Sequence, residues 1–182
     1  MTFSLSKSLE ILERTPDVLI DLLQNISPEW TLNNEGEETW SPYDILGHLI
    51  HGEKTDWIPR MEIILSTKLD KSFDSFDRFA QFENSKGKGL SELLDEFRTL
   101  RKNNIDHLLS KRLTEEDCEK KGVHPDFGEI TLAQLLSTWT VHDLNHIAQI
   151  SRVMAKQYQQ AVGPWIEYLK ILHVEHAKSL TK

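Results

Sequence analysis

The chain has a single cysteine, no apolar run long enough to cross a bilayer and no excess of basic residues. Each shortage removes a class of protein. One thiol, Cys118, forms no internal disulfide, so a cross-linked secreted framework is excluded and a reducing, cytoplasmic setting fits best. Cys118 stands among Glu115, Glu116, Asp117 and Glu119, whose charges disfavour a thiolate and argue against a cysteine nucleophile. No stretch approaches the roughly 18 apolar residues that a membrane span needs. Met1 to Ser8 lacks the apolar core of a signal peptide. With 29 acidic residues against 21 basic ones, the formal net charge of −8 has the wrong sign for a nucleic-acid binder. Gly-rich phosphate loops, nucleophile elbows and Cys-x-x-Cys pairs are also missing.

What is present is helix periodicity. At 182 residues the default is one domain, 1–182, large enough to bury a sizeable core. A first helix is predicted from about Leu5 to Ile26, kinked or split at Thr15-Pro16. Ser41-Pro42-Tyr43-Asp44 carries the features of a helix start, and a second helix runs from there through Ile64, bent rather than ended by Pro59. A third spans Leu90 to Leu109, and a fourth opens at Thr131. A short last helix runs from Trp165 to about His176. Two long polar connections, Thr67–Gly89 and Lys111–Ile130, lie between the helices. The first holds Phe73, Phe76, Phe79 and Phe82, which predict that it folds back over the bundle. No segment alternates convincingly as a strand. The fold class is all-α, a helical bundle.

The strongest chemical signal is His142-Asp143-Leu144-Asn145-His146. Residues four apart lie about one turn apart on the same helix face. Here they share the apolar seam of Leu132, Leu135, Trp139, Ile150 and Val153. Burying an unpaired polar group costs about 1–3 kcal/mol, so two imidazoles in a core need a reason, and a shared divalent metal supplies one. The pair lacks the glutamate of H-E-x-x-H, so the zinc-protease reading fails. A site with an open position takes three protein ligands, and the third must come from another helix. His48, His51 and Glu53 on the second helix are the candidates. Glu53 falls on the apolar stripe of Leu46, Ile50, Trp57 and Ile64. His48 lies well round the helix from it and His51 little better, so periodicity does not choose His48. Gly52, one turn past His48, suggests close approach on that side. The bland alternative is a histidine pair bonded within the core. His107 and His124 have no partner at a diagnostic spacing, and His173 with His176 reads as a solvated helix face. Trp57 and Trp139 read as core, Asp143 and Asn145 as imidazole-orienting groups or helix rim, and Asp77 with Arg78 as a lid or a local ion pair.

Two segments together resemble a known family. Trp40-Ser41-Pro42-Tyr43-Asp44-Ile45-Leu46-Gly47-His48-Leu49 followed by Glu53, and then His142-x-x-x-His146-x-x-Gln149, are similar to the DinB-like superfamily. That superfamily includes thiol-dependent S-transferases such as bacillithiol transferases. The resemblance extends from Trp40 to about Leu172. It implies a four-helix bundle of up-down-down-up topology with a divalent metal near one end. Carried over position by position, the ligands are His48, His142 and His146, with Glu53 the acidic group near the site and Arg60 a recurrent arginine. The chain departs from the better-studied transferases at Gln149, where they often carry a further histidine.

Together these imply a metal-dependent enzyme of thiol S-transfer or hydrolysis. A zinc, nickel, iron or manganese ion would activate a thiol or water toward a small-molecule substrate, with Glu53 as proton acceptor or anchor. A low-molecular-weight thiol is the implied cosubstrate, and the resemblance implies a homodimer paired through bundle helices. The competing expectation is a metal-stabilised binding or stress-response module without turnover, which a closed four-ligand site would favour.

Overall fold

A computed structural model describes residues 2–174 and shows an all-α four-helix bundle with a small hairpin added. The first bundle helix is split as expected, into α1 (Leu5–Leu12) and α2 (Thr15–Leu23), because the Pro16 ring has no N–H and collides with the carbonyl four residues back. It ends at Leu23, short of Ile26. A helical turn, α3 (Pro28–Leu32), then occupies part of the expected loop, opened by Pro28.

The second bundle helix is α4 (Pro42–Thr55) followed by α5 (Trp57–Leu65). Ser41 caps α4 reciprocally with Asp44. Pro59 does more than bend this helix. The ladder gives way at Asp56 (φ −108°, ψ −69°), next to the Thr55 carbonyl that the Pro59 ring opposes. The chain 66–79 leads to α6 (Ala80–Asn84), then the third bundle helix, α7 (Leu90–Ser110), and a short α8 (Glu115–Glu119).

Where no strand was expected, β1 (Lys121–His124) and β2 (Gly128–Thr131) pair antiparallel, with Lys121 opposite Thr131 and His124 opposite Gly128. Strands of four residues are too short to show alternation. Thr131 then caps the last bundle helix, α9 (Leu132–Lys156), in a capping box with Gln134. The expected C-terminal helix is two 3-10 turns, Gly163–Tyr168 and Lys170–His173, and His176 lies outside the described residues. Among the described residues, no helix is long and apolar enough to cross a membrane.

Cross-helix contacts give the directions. Tyr43 donates to the Ser85 and Lys88 carbonyls, Glu53 meets Arg101 and Glu62 meets His107, so α7 runs parallel to α4–α5. His48 meets His142 and Trp57 stacks on Trp139, so α9 runs antiparallel to α4–α5. Arg98 pairs with Asp17 and Arg101 with the Leu12 carbonyl, so α7 opposes the first helix. This is the up-down-down-up order.

The segment 66–79 folds back as expected, but unequally. Phe73 is buried, Phe76 is half-buried, and Phe79 and Phe82 stay exposed and stack on each other. Phe73 seats against the hairpin, where Ser72 bridges to Val123. A Cβ on Gly122 would lie 2.5 Å from the Phe73 ring and 2.9 Å from Ile64. Neither neighbour can retreat from a close-packed core, so Gly122→Ala should lower stability by about 1–3 kcal/mol. A urea unfolding midpoint equal to wild type would show that the hairpin is not packed in this way.

Candidate metal centre

Every residue of α4 from Ile45 to Glu53 is buried. Helix α6 covers one side of it, so close that a Cβ on Gly47 would lie 2.5 Å from the Ser85 Oγ. At Gly52, where close approach was expected, a Cβ would lie an ordinary 3.4 Å from Trp57 Nε1. A helix with no solvent face has no seam to read, which is why spacing does not single out His48.

The structure brings His48, His142 and His146 together. His142 Nε2 lies 3.1 Å from His48 Nε2 and 3.1 Å from His146 Nε2. One nitrogen from each of the three rings falls within 4.8 Å of the others. An ion with bonds of about 2.0–2.1 Å to imidazole nitrogen holds tetrahedral neighbours about 3.4 Å apart, close to this spacing. Protons alone satisfy the cluster poorly. His142 Nε2 faces two nitrogens with either one proton or one lone pair. The His146 Nδ1–H donates to Gln149 Oε1 at 2.8 Å, which leaves its Nε2 as a bare lone pair. The Nδ1 atoms of His48 and His142 are buried without a partner.

The surroundings keep the rings neutral. Burial pushes His48 down to about 3, helped by His146, His51 and Arg78. Burial, with His146, His48 and Arg101, pushes His142 down to about 2. Burial lowers His146 too, against the Gln149 contact. Aromatic rings supply much of that dry wall. Trp57 meets His142 edge-on at 5.1 Å, Phe76 meets His48 edge-on at 5.4 Å and Trp40 lies 5.0 Å from His48. Neutral, desolvated, convergent imidazole nitrogens are the donor set that a divalent first-row metal takes, so these residues fit one.

These shifts also set an acid response. In the metal-free fold the rings stay neutral, whereas in the unfolded chain they charge below their ordinary 6.5. The unfolded state then binds more protons, so stability falls as pH drops from 6.5 toward the folded values, by up to about 1.4 kcal/mol per unit per ring. Asp56, raised to about 6 by burial, opposes this, because below 6 its folded state binds the extra proton. Three rings outweigh one carboxyl. The urea midpoint of metal-free protein should fall between pH 7 and pH 5, and an unchanged midpoint would contradict the burial of neutral rings.

Glu53 lands elsewhere. It is buried, but its Oε1 accepts from Arg101 Nη2 at 2.8 Å and from Trp139 Nε1 at 3.0 Å, and its Oε2 from Asn104 Nδ2 at 2.9 Å. It is not one of the clustered metal-binding groups and lines neither cavity at the histidines. Its geometry is that of an anchor rather than a proton acceptor. The residues that spacing missed are its partners. Arg101 is 1% exposed and pairs in two-pronged fashion with the fully buried Asp143, at 2.5 and 2.9 Å. Its Nη1 also donates to the Leu12 carbonyl at the end of α1, and its guanidinium lies over the Phe97 and Trp139 rings. Both charges lie on readable seams, Arg101 midway between Phe97 and Ile105 and Asp143 one turn past Trp139.

Other candidates separate from the cluster. Arg60 pairs with Asp56 at 2.5 Å and lies over Phe73. His51 is buried against Phe76. His107 pairs with Glu62, His124 stacks on Phe127 and His173 donates to the Ile166 carbonyl. Burial, then Asp117, Glu119 and Glu115, raises the Cys118 thiol, as its neighbours implied.

The cluster faces a cavity of about 380 Å³, walled also by Trp40, Phe76, Arg78, Gln149 and Arg152. That volume suits a small molecule. An up-down-down-up helical bundle with three convergent histidines at a cavity wall defines the class of protein. The chain belongs to the DinB superfamily, whose family model matches residues 11–150. Among solved structures it is similar to YfiT from Bacillus subtilis, described as a probable metal-dependent hydrolase with an unusual four-helix bundle topology. That match has a TM-score of 0.69 at 20% identity and covers 87% of each chain. It is also similar to TT2238, a four-helix bundle protein, with a TM-score of 0.55 at 17% identity over 81% of this chain and 98% of that one. No curated protein matches the chain.

Proposed function

We propose that this protein is a divalent-metal-dependent enzyme. His48, His142 and His146 hold the ion, and the reaction is hydrolysis or thiol S-transfer on a small-molecule substrate. The observation that carries this reading is the meeting of three Nε2 atoms, 3.1 Å apart through His142, at the wall of an open cavity. Zinc, nickel and iron suit the three imidazole donors, and manganese, which prefers oxygen ligands, suits them less well. An ion held this way would acidify a water or a thiol and so supply a nucleophile without need of an activated serine or cysteine. Hydrolysis is also what the name of the YfiT structure suggests for that protein.

The remaining residues orient and exclude. Gln149 holds the His146 tautomer by accepting from Nδ1–H. Trp40, Trp57 and Phe76 keep bulk water from the rings. Glu53 and Asp143, clamped by Arg101, fix α4 and α9 relative to each other and so fix the spacing between His48 and the other pair. Among the described residues the cluster holds three metal-binding groups, an arrangement that leaves a position for substrate and supports an enzyme over a closed structural site. The test is metal analysis of tag-free protein by mass spectrometry, followed by ester-hydrolysis and thiol-transfer assays of the loaded chain. About one ion per chain with turnover in either assay is the expected result. A chain that stays metal-free after incubation with zinc, nickel and manganese would end the enzyme reading.

A further inference from the structure

The histidine cluster also borders a second cavity. His48, His142, Phe76 and Arg78 line this space of about 480 Å³ too, and Trp57, Phe73 and the tip of the β1–β2 hairpin complete it. Asp56 is in its wall. This residue sits at the break between α4 and α5, and its side chain is 13% exposed. It makes no capping hydrogen bond to α5. Its partner is Arg60 Nε at 2.5 Å, and that guanidinium is held in turn over Phe73. Glu53, the carboxylate expected to take a proton, has both oxygens filled by Arg101, Trp139 and Asn104 and opens on neither cavity.

We propose that the Asp56 carboxylate is the proton-accepting group of the histidine site, working through this second cavity. The inference rests on the metal-site reading above. A carboxylate oxygen of Asp56 takes the proton of a water or thiol entering the cavity. The O–H or S–H bond breaks, its electron pair stays on oxygen or sulfur, and the resulting carboxylic acid later returns the proton to the leaving group. Burial pushes Asp56 up to about 6 against the charge of Arg60, so near neutral pH it is largely ionised yet a competent acceptor. The charged and titratable groups sharing its cavity are Arg60, His48, His142, Arg78, His124 and Asp126. The burial that keeps His48 and His142 uncharged leaves Arg60, directly paired, as the cation nearest to it.

The test is a carbon-13 NMR titration of the Asp56 side-chain carboxyl in the full chain, assigned through its backbone, without metal and with one equivalent of zinc. Asp56→Asn identifies the resonance independently. The expected midpoint lies near 6 without metal. With zinc bound it should fall by at least about half a unit, a threefold change in proton affinity, because a divalent charge in the same cavity favours the carboxylate. A midpoint in the ordinary range near 4, or one that zinc leaves unmoved while metal analysis finds it bound, would overturn the proposal and leave Asp56 as a partner of Arg60 only. A chain that takes up neither zinc nor, in parallel incubations, nickel or manganese overturns the histidine reading itself, whatever midpoint Asp56 shows, and the inference falls with it.

Discussion

Replacing His142 with alanine should remove stoichiometric metal from the purified protein, from about one ion per chain to none that survives dialysis. His142 is the hub of the cluster, since its Nε2 is the atom 3.1 Å from both other rings. Without it two nitrogens remain, on different helices, and a chelate of three becomes a pair. Loss of a residue that only orients a ligand costs about 10–100-fold in metal affinity, so loss of a ligand should exceed that range. Gln149→Leu is the graded control. It frees the His146 ring but keeps all three nitrogens, so its loss should stay within about 10–100-fold. The alanine variant should still fold, because α9 keeps Trp139, Ile150 and Val153 in the core and loses a ring that carried an acid liability. Inductively coupled plasma mass spectrometry of wild type and variant prepared side by side decides the matter. Undiminished metal in folded His142→Ala protein would mean that the ion, if bound, sits elsewhere.

Much of this site can be read in the chain, and the failures have physical causes. The pair His142 and His146 declares itself because an amphipathic helix with two bases on its apolar seam breaks the usual pattern. Thr131 and Ser41 declare the helix starts, since a capping residue with its reciprocal partner is a local signal. His48 cannot be read from periodicity because α4 is buried all round, and only the resemblance to a family chose it. Pro59 is visible in the chain as a bend, but the break it causes falls at Asp56, among residues that carry no signal of their own. The hairpin escaped for want of length. What holds Lys121–His124 in place is Phe73 against Gly122, a contact between segments some fifty residues apart.

The carboxylates show the same limit more sharply. Glu53 was correctly placed on a buried stripe, but a stripe says nothing about which donors meet it. Its neighbours Arg101 and Asn104 come from α7 and Trp139 from α9, so its role as an anchor is a property of the packed bundle. Asp56 has no stripe and no motif, and it enters the argument only because the α4–α5 break turns it into a cavity. Glu53 and Asp56 stand three residues apart, and tertiary contacts saturate one while leaving the other in a cavity wall, paired with Arg60.

Arg101→Met should destabilise the protein by about 3–5 kcal/mol, the largest stability effect expected of a single change here. The guanidinium joins three of the bundle helices to its own. It donates to Glu53 on α4, to Asp143 on α9 and to the Leu12 carbonyl at the end of α1. Burial works against its charge, but Glu53 and Asp143 outweigh that and hold it protonated well above its ordinary range. Methionine of similar reach refills the space between Phe97 and Trp139, so the loss is electrostatic rather than a cavity. Two carboxylates, at 2% and 0% exposure, would be left without their cation. A domain of this size has about 5–15 kcal/mol in total, so the variant should unfold at much lower urea. Neutralising the partners as well, in Arg101→Met with Glu53→Gln and Asp143→Asn, should recover a large part of the loss, because an unpaired amide costs far less to bury than an unpaired charge. That recovery separates the ion network from packing. If the single variant stays within about 1 kcal/mol of wild type, or the triple variant is worse than the single, the clamp is not what holds α4 against α9. The two outcomes also bear on the metal. A bundle whose α4 and α9 separate loses the spacing between His48 and His142, so metal affinity and stability should fall together in Arg101→Met and recover together in the triple variant.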